Sequence, residues 1–403
     1  AWFDPDFLRG PVAMPDGTTV DLSDLVTEDA QGIFTLTAPF TEAVCQRLVA
    51  EETKVLANVV AIHRELMYDP VVKDGQIEVM TTPYYHPILP LLVDTDLARI
   101  AMPTTPLPGQ RFAEPADAEV HVKKAVKRHA ELFGQPVTGM WPAEGAVAEA
   151  VVPIFAAAGV RWIATDRRVL AKSLSDSASI YTPYRVDTNT TADATGTGVG
   201  ELAVVFRDTE LSDKLGFHYQ GKPAAENVVD FIATLRGHAP AYGDEALLTV
   251  ILDGENAWEW YAFDNDAKGF LGGMYAALEA AQATREVMTV TVSEYLDGNA
   301  ARGIAAHPVA DLPEIEPLFA GSWIDGSFST WIGEEEENLA WDYLATVRAD
   351  LAEFEAQGLT RPDPLAPTPP VGTPAWYAYK AWETLYAAEG SDWFWWFGDS
   401  HTS

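Results

Sequence analysis

Two short segments combine acidic side chains with tryptophan at the end of an apolar run. The first segment, residues 139–145, contains Trp141 and Glu144, and the second, residues 252–261, contains Asp253, Glu255 and Trp258. Glycosidic bonds are cleaved by paired carboxyl groups, while flat aromatic faces pack against the sugar ring. These residue types in this spacing predict a sugar-cleaving site.

Each acid also has a purely structural interpretation. Glu144 lies between a predicted strand and a predicted helix, where a carboxylate interacts favourably with the helix dipole. Asp253 precedes Gly254, and Asp-Gly is a common turn dipeptide. The small residues around Glu144, and the acidic and aromatic residues after Asp253, favour function. The local sequence leaves both interpretations open.

Helical and strand-like segments alternate through most of the chain. Alternation of this kind predicts an α/β fold with a parallel sheet, and such sheets carry their sites at the carboxyl ends of the strands. Apolar runs predict strands at 76–80, 139–141, 161–166, 202–206, 247–252 and 287–292, and helical periodicity predicts helices at 42–69, 115–133, 147–158, 224–236 and 269–283.

The pattern changes after about residue 335. Helices are predicted at 338–356 and 375–388, with a proline-rich connector at 362–374. The acidic run 334–337 predicts a solvated helix start, and the segment 187–198, low in bulky residues, predicts a flexible loop. We therefore expect a helical subdomain after the α/β part.

Composition limits the classes of partner. The chain of 403 residues has 48% apolar content and a formal charge of −34. A surface this acidic repels phosphate backbones and anionic lipids, so we expect neither nucleic acid nor membrane partners. No run of roughly 18 apolar residues and no signal peptide is present, which favours a cytoplasmic location without establishing one. The single cysteine, Cys45, excludes an intrachain disulfide and predicts a buried thiol.

The histidines do not predict a metal site. The eight histidines show neither His-x-His nor His-Glu-x-x-His spacing. His86 stands alone at a predicted strand end, where a structural role and a ligand-binding role are both open. Neither a nucleophile elbow nor a phosphate-binding glycine loop is present. We therefore predict no cofactor.

Several motifs occur together in one order. They are the segments 75–78, 82–92, 141–144, 162–166, 253–256, 328–333 and 390–396. With these motifs the chain resembles glycoside hydrolase family 57, particularly its amylopullulanase-like members. The resemblance implies an incomplete (β/α)7 barrel, expected over residues 1–334, followed by a helical bundle, expected over residues 335–403.

The resemblance also implies a substrate and catalytic roles. Family members act on α-glucans by a retaining mechanism, in which Glu144 matches the nucleophile and Asp253 the general acid/base. Four further residues match positions that line the family's sugar site: Glu78, His86, Glu255 and Asp392. We add Trp141 and Trp258 as predicted platforms for sugar rings.

The chain departs from the family pattern at two places. It has no His-Gln-Pro segment, so we expect it to start inside the family's sequence, without the first barrel strand and its histidine. Ser327 stands where the family pattern predicts asparagine. These departures bear on activity more than on family membership.

The resulting hypothesis is a retaining hydrolase of α-1,4 glucosidic bonds, with cleavage of α-1,6 bonds left open. Its two carboxyl groups are expected to lie roughly 5–5.5 Å apart. A 4-α-glucanotransferase or branching enzyme shares the chemistry and is the alternative. A catalytically weak carbohydrate-binding protein is a second one. A metal-dependent deacetylase is disfavoured because the sequence lacks a His/Asp ligand cluster. The oligomeric state is not predicted.

Overall fold

The computed structural model describes residues 3–188, 201–238, 245–254, 258–358 and 360–398. The chain forms two compact units. Unit 1 comprises residues 1–78, 210–240 and 252–291, and unit 2 comprises residues 79–209, 241–251 and 292–403. The predicted division at residues 334 and 335 stays a prediction.

The secondary-structure elements are numbered in chain order. The helices are α1 (Asp6–Arg9), α2 (Glu42–Leu66), α3 (Leu89–Val93), α4 (Ala98–Ala101), α5 (Pro115–Phe133), α6 (Val152–Ala157), α7 (Arg167–Ser173), α8 (Thr209–Asp213), α9 (Ala224–His238), α10 (Lys268–Ala283), α11 (Val292–Asp297), α12 (Glu335–Ala356), α13 (Pro374–Ala388) and α14 (Asp392–Phe397). The strands are β1 (Val12–Ala13), β2 (Thr19–Val20), β3 (Val26–Glu28), β4 (Phe34–Leu36), β5 (Gly139–Met140), β6 (Trp162–Asp166), β7 (Tyr184–Asp187) and β8 (Glu201–Arg207).

A mostly parallel sheet forms the centre of unit 2. Its strand order is β5-β6-β8-β7, in which β5, β6 and β8 run parallel and β7 pairs antiparallel with β8. Single parallel bridges also join Thr81 to Met140 of β5 and Thr249 to Arg207 of β8. Every residue of β6 is buried, as expected for a parallel sheet covered on both faces.

The helix α5 shows how local sequence sets the element bounds in unit 2. Pro115 occupies the first turn, where its missing N–H costs nothing. The helix ends at Gly134, whose φ of 74° is left-handed and free of strain for glycine. Val122 and Ala125 face the core, which also includes apolar residues of the sheet.

The three C-terminal helices α12, α13 and α14 belong to the same unit. The Trp341 ring of α12 stacks on the Phe394 ring of α14 at 4.6 Å between centroids. The helix α12 begins with a capping box, in which Glu334 and Glu337 each accept a backbone N–H of the other. The predicted helical C-terminal region is therefore present.

Unit 1 contains two antiparallel hairpins, β1-β2 and β3-β4, and the helices α2, α9 and α10. The helix α2 is capped by Thr41, whose side chain accepts the N–H of Val44 at 3.3 Å. The helices α9 and α10 approach closely at Gly273, where a Cβ atom would lie 2.9 Å from a methyl carbon of Val228. Glycine at this position allows the two helices to pack.

The structure confirms the predicted α/β class and the long helices, and it corrects several details. Only isolated bridges occur in the predicted strands 76–80 and 247–252. The predicted strand 287–292 is absent: residues 287–291 form no strand, and α11 begins at Val292. Cys45, predicted to be buried, is exposed on α2. Glu337, in the run predicted to be solvated, is buried. Most of the predicted 187–198 loop lies outside the described residues.

None of the described helices combines the length and the apolar character that crossing a bilayer requires.

Candidate functional site

Polar side chains gather at one edge of the unit 2 sheet. Glu144 follows β5, Asp166 ends β6, and Arg207 and Asp208 come at the end of β8. Because β5, β6 and β8 are parallel, their carboxyl ends lie at the same edge. This is the edge at which α/β proteins place their sites.

Glu144 has an unusual backbone conformation. Its φ of 57° and ψ of 23° are left-handed, which costs a residue with a Cβ atom about 1–2 kcal/mol. Trp323 fixes both ends of this residue: its backbone N–H donates to the Glu144 carbonyl at 3.1 Å, and its indole N–H donates to Oε2 of Glu144 at 2.7 Å. The carboxylate is half-buried and held in one direction.

Aromatic rings enclose the same turn. Trp141 meets Trp323 edge-to-face, with 5.1 Å between the ring centroids. Gly145 also has a positive φ, of 60°, and a Cβ atom there would lie 2.8 Å from the Trp141 ring. Any larger residue at position 145 would displace the Trp141 ring.

Arg207 connects Trp323 with the next segment of the sheet. Its guanidinium lies 5.7 Å from the centre of the Trp323 ring, within the range of a cation–π contact. Its Nε donates to the carbonyl of Ile251 at 2.9 Å. Contacts thus run from Glu144 through Trp323 and Arg207 to Ile251, and Asp253 follows Ile251 by two residues along the chain.

The two other acids at this edge have structural partners. Asp166 caps α7 by accepting the N–H of Arg168 at 2.9 Å, and burial raises the pKa of its carboxyl above the ordinary value. Asp208 accepts the hydroxyl of Tyr181 at 2.6 Å. These hydrogen bonds explain why the carboxyl groups of both residues can be buried.

His86 lies in a second strained turn of unit 2. Tyr85 and His86 both have left-handed φ angles, of 63° and 56°. Nδ1 of His86 lies 2.9 Å from the hydroxyl of Ser391, whose backbone N–H donates to the His86 carbonyl at 3.0 Å. These contacts bring His86 next to Asp392, which is exposed at the start of α14.

Three predicted site residues that the structure describes belong to unit 1. Glu78 and Asp253 are half-buried, and Trp258 is half-buried with its ring edge-on to Tyr261 at 5.7 Å. Glu255 lies outside the described residues. Because Glu144 and Asp253 belong to different units, the separation of their carboxyl groups stays a prediction.

Three contacting residues were missed by the sequence interpretation. Trp323 follows no predicted strand, Ser391 is only part of a matching motif, and Arg207 comes directly after the predicted strand 202–206. Trp323 lies 179 residues from Glu144 along the chain, and Ser391 lies 305 residues from His86. No local pattern could have indicated these contacts.

In the part of the chain that the structure describes, no group of three or more histidine, cysteine or acidic side chains could hold a metal ion.

Comparison with known proteins finds one matching family. The model of glycosyl hydrolase family 57 matches residues 20–311. Among curated protein sequences, none matches significantly.

Solved structures with a similar fold include two GH57 branching enzymes and an α-amylase. A GH57 branching enzyme of Thermococcus kodakaraensis superposes with a TM-score of 0.58 at 16% identity, covering 89% of this chain and 68% of its own. The GH57-type branching enzyme of Pyrococcus horikoshii gives 0.57 at 17% identity, covering 88% and 65%. The α-amylase AmyC of Thermotoga maritima gives 0.57 at 14% identity, covering 87% and 67%.

The chain thus spans about two thirds of the length of these three proteins. Sequence identities this low show the fold alone. The likeness confirms the predicted (β/α)7-barrel class.

Proposed function

The chain belongs to glycosyl hydrolase family 57, and from this premise we propose that it cleaves α-glucosidic bonds with retention of configuration. Glu144 is the proposed nucleophile and Asp253 the proposed general acid/base. The observation that carries the proposal is the strained Glu144 turn, in which Trp323 holds the carboxylate by its indole N–H.

In the first step of the proposed reaction, Asp253 donates a proton to the glycosidic oxygen. An oxygen of Glu144 attacks the anomeric carbon, and the bond to the leaving sugar breaks with its electron pair on the departing oxygen. In the second step, the Asp253 carboxylate takes a proton from water, whose oxygen attacks the same carbon and releases Glu144. Two inversions at one carbon give net retention.

The geometry of Glu144 supports the nucleophile role. A nucleophilic carboxylate must be fixed in direction, because a misplaced group loses much of the rate. The indole N–H contact and the left-handed backbone both fix it. Backbone strain of this kind is found mainly at functional sites.

Features of unit 2 support sugar binding. Asp392 is exposed beside His86, and Trp393 and Trp396 on the same helix α14 are 52% and 68% exposed. Exposed indole rings next to polar groups suit the apolar faces and hydroxyl groups of a pyranose. Glu78, Glu255 and Trp258 remain proposed substrate contacts.

On this proposal the catalytic part is residues 1–334, and residues 335–403 form a helical subdomain that supplies Asp392. The two carboxyl groups of Glu144 and Asp253 should lie roughly 5–5.5 Å apart in a crystal structure with a bound oligosaccharide. A separation above about 10 Å would contradict the mechanism, because it exceeds both known hydrolytic spacings.

An aryl α-maltoside with a good leaving group separates the two catalytic roles. The first step on this substrate needs no proton, so Asp253→Asn should release one equivalent of phenol in a burst and then turn over slowly. Glu144→Gln should show no burst and lose roughly 10⁴-fold or more in turnover, while calorimetry still shows oligosaccharide binding. A burst in Glu144→Gln would reject the nucleophile assignment.

The finer specificity is also proposed: amylopullulanase-type cleavage of α-1,4 and α-1,6 bonds. Incubation of the purified chain with amylose and pullulan, followed by sizing of the products, tests this. Shorter products with new reducing ends support hydrolysis. Longer or newly branched products would assign the chain to the glucanotransferase or branching class, and binding without products would make it a carbohydrate-binding protein.

A further inference from the structure

A layer of ionisable side chains is buried in unit 2 between α5 and the end of α13. Asp117, His121 and Lys124 occupy one face of α5, at positions i, i+4 and i+7. Asp117 and His121 are fully buried, and Glu389, at the C-cap of α13, is 1% exposed. Burial of charged groups is costly unless each is paired, so the contacts of this layer need an explanation.

Arginine side chains neutralise Asp117. Arg348 on α12 donates from Nε to Oδ2 of Asp117 at 2.6 Å, and Arg361 contacts the other carboxylate oxygen. Both guanidinium groups also lie over the Trp382 ring, at 4.8 and 4.4 Å from its centroid. Asp117 is thus paired with two guanidinium groups, and it also interacts with the Glu389 carboxyl.

The hydrogen bonds of His121 define one shared proton. Nδ1 contacts the carbonyl of Tyr84, which only accepts, so Nδ1 must carry a hydrogen. Nε2 lies 2.7 Å from Oε2 of Glu389, and one proton therefore lies between these two atoms. Burial lowers the pKa of His121 to about 4 and raises that of Glu389 well above its ordinary value. The Asp117 carboxylate raises the pKa of Glu389 further. The shifts of the two groups favour a neutral imidazole beside a protonated Glu389 carboxyl.

The pair contacts the turn that carries His86. The Tyr84 carbonyl, held by His121, directly precedes the two left-handed residues Tyr85 and His86. The Tyr84 N–H in turn donates to the His121 carbonyl at 3.1 Å. Left-handed residues with side chains persist only where the surroundings fix them.

Further contacts fix the same turn. The Tyr85 hydroxyl donates to Glu383, and the Lys124 ammonium lies 4.9 Å from the Tyr84 ring and 5.3 Å from the Tyr85 ring. Gly390 packs so closely that a Cβ atom would lie 2.6 Å from the Tyr85 carbonyl oxygen. The His121 side chain that holds the Tyr84 carbonyl is itself fully buried.

We propose that His121 and Glu389 are positioning residues, which hold the Tyr84 carbonyl and thereby set the orientation of His86 toward substrate. The role of His86 rests on the proposed glucan-cleaving function. The geometry of the turn does not depend on it, so the two can be tested separately.

Four variants test the proposal. The amide nitrogen of asparagine occupies the place of Nδ1, so His121→Asn keeps a donor to the Tyr84 carbonyl, whereas His121→Ala removes it. In the same way Glu389→Gln keeps an N–H donor toward Nε2, whereas Glu389→Ala removes it. We expect the two alanine variants to lower kcat by up to about 100-fold through displacement of His86, and the Asn and Gln variants to restore most of it.

A second measurement is independent of turnover. The imidazole ¹⁵N signals of His86, assigned with His86→Gln, report its hydrogen bond with Ser391. We expect these signals to move in both alanine variants and to return near their wild-type positions in His121→Asn and Glu389→Gln.

His307→Ala is the matched control, because it removes another imidazole that contacts a backbone carbonyl of unit 2, that of Tyr295 at 3.1 Å. It should lower the melting temperature without changing kcat or the His86 signals. The proposal is overturned if His121→Asn is as impaired as His121→Ala, or if His121→Ala leaves the His86 signals unchanged. If an alanine variant does not fold, the Asn and Gln variants decide by the same signals. A wild-type chain inactive on glucans would reject the proposed function, and the His86 signals alone would then decide the positioning role.

Discussion

At the scale of single residues, Glu144 combines strain with a fixed carboxylate. A left-handed glutamate is less stable than a glycine at the same place, yet only the glutamate offers an oxygen to Trp323. The turn is therefore less stable than it would be with glycine, but it fixes the direction of one carboxylate. Such an exchange is expected where a side chain acts on a ligand.

The strain at position 144 is measurable. Glycine adopts a positive φ without cost, whereas alanine keeps the Cβ atom that clashes. We expect the free energy of unfolding of Glu144→Gly to be about 1–2 kcal/mol larger than that of Glu144→Ala. In a helix the order of the two residues is the reverse. Denaturant unfolding of both variants measures the difference. Equal stabilities, or a more stable alanine variant, would show that position 144 is not strained in solution.

The indole N–H of Trp323 can be removed while the ring is kept. Trp323→Phe should lower kcat roughly 10-fold or more, because hydrogen bonds to charged groups contribute about 1.5–3 kcal/mol. Steady-state kinetics on amylose checks this. Trp341→Phe also removes an indole N–H bond, to the Trp331 carbonyl at 2.9 Å, and should lower the melting temperature without changing kcat. A similar loss of kcat in both variants would contradict a specific role of Trp323.

At the scale of elements, the start of α12 contains a titratable group where the sequence predicted solvated charges. Glu337 is buried, and one of its oxygens accepts the Glu334 N–H at 3.0 Å. Burial raises the pKa of the Glu337 carboxyl from its ordinary value of 4.5 to about 7. The acidic run therefore contains one carboxyl that behaves differently from its exposed neighbours.

This pKa makes a signed prediction for the stability of the helix start. Between pH 4.5 and pH 7 the folded chain keeps a proton on Glu337 that the unfolded chain has lost, so the Glu337 contribution to stability falls as pH rises. The free energy of unfolding of Glu337→Gln relative to wild type should therefore rise across this range and stay constant above it. Denaturant unfolding at several pH values measures the difference. Glu336→Gln, at an exposed neighbour, should show no such change, and a flat difference for Glu337→Gln would contradict the buried carboxyl.

The sequence predicts elements well where their ends carry chemical signals. The helix α5 has proline at its start and glycine at its end, and both bounds are correct. The strands of the hairpins β1-β2 and β3-β4 have only two or three residues and β7 has four, which is too few to show a clear alternating pattern. The candidate site shows the same limit: Glu144 and His86 stand out locally, but Trp323 reaches Glu144 and Ser391 reaches His86 only through the fold.

At the scale of the whole molecule, the excess of acidic side chains affects the stability of the folded state. Asp and Glu total 60 against 26 Lys and Arg, so most acidic side chains cannot be paired with a base. Their mutual repulsion is relieved when the chain unfolds and expands. The folded state therefore bears an electrostatic cost that depends on ionic strength.

Salt should accordingly stabilise the protein. At about 1 M ionic strength the screening length falls to roughly 3 Å, from about 10 Å at 0.1 M. We expect the melting temperature to rise by several degrees over this range with NaCl and KCl alike, measured by scanning calorimetry. Sucrose at matched osmolality controls for effects of solute exclusion. If the melting temperature falls when NaCl or KCl is added, repulsion between acidic side chains is not the main electrostatic effect on stability.

The chain passes between its two compact units after residues 78, 209, 240, 251 and 291. Neither unit is a contiguous stretch of the gene, so no single truncation or protease cut yields one of them whole. Exchange of a unit between homologous enzymes would require the transplantation of three separate stretches at once. We therefore expect the two units to be expressed and engineered only together, in one polypeptide.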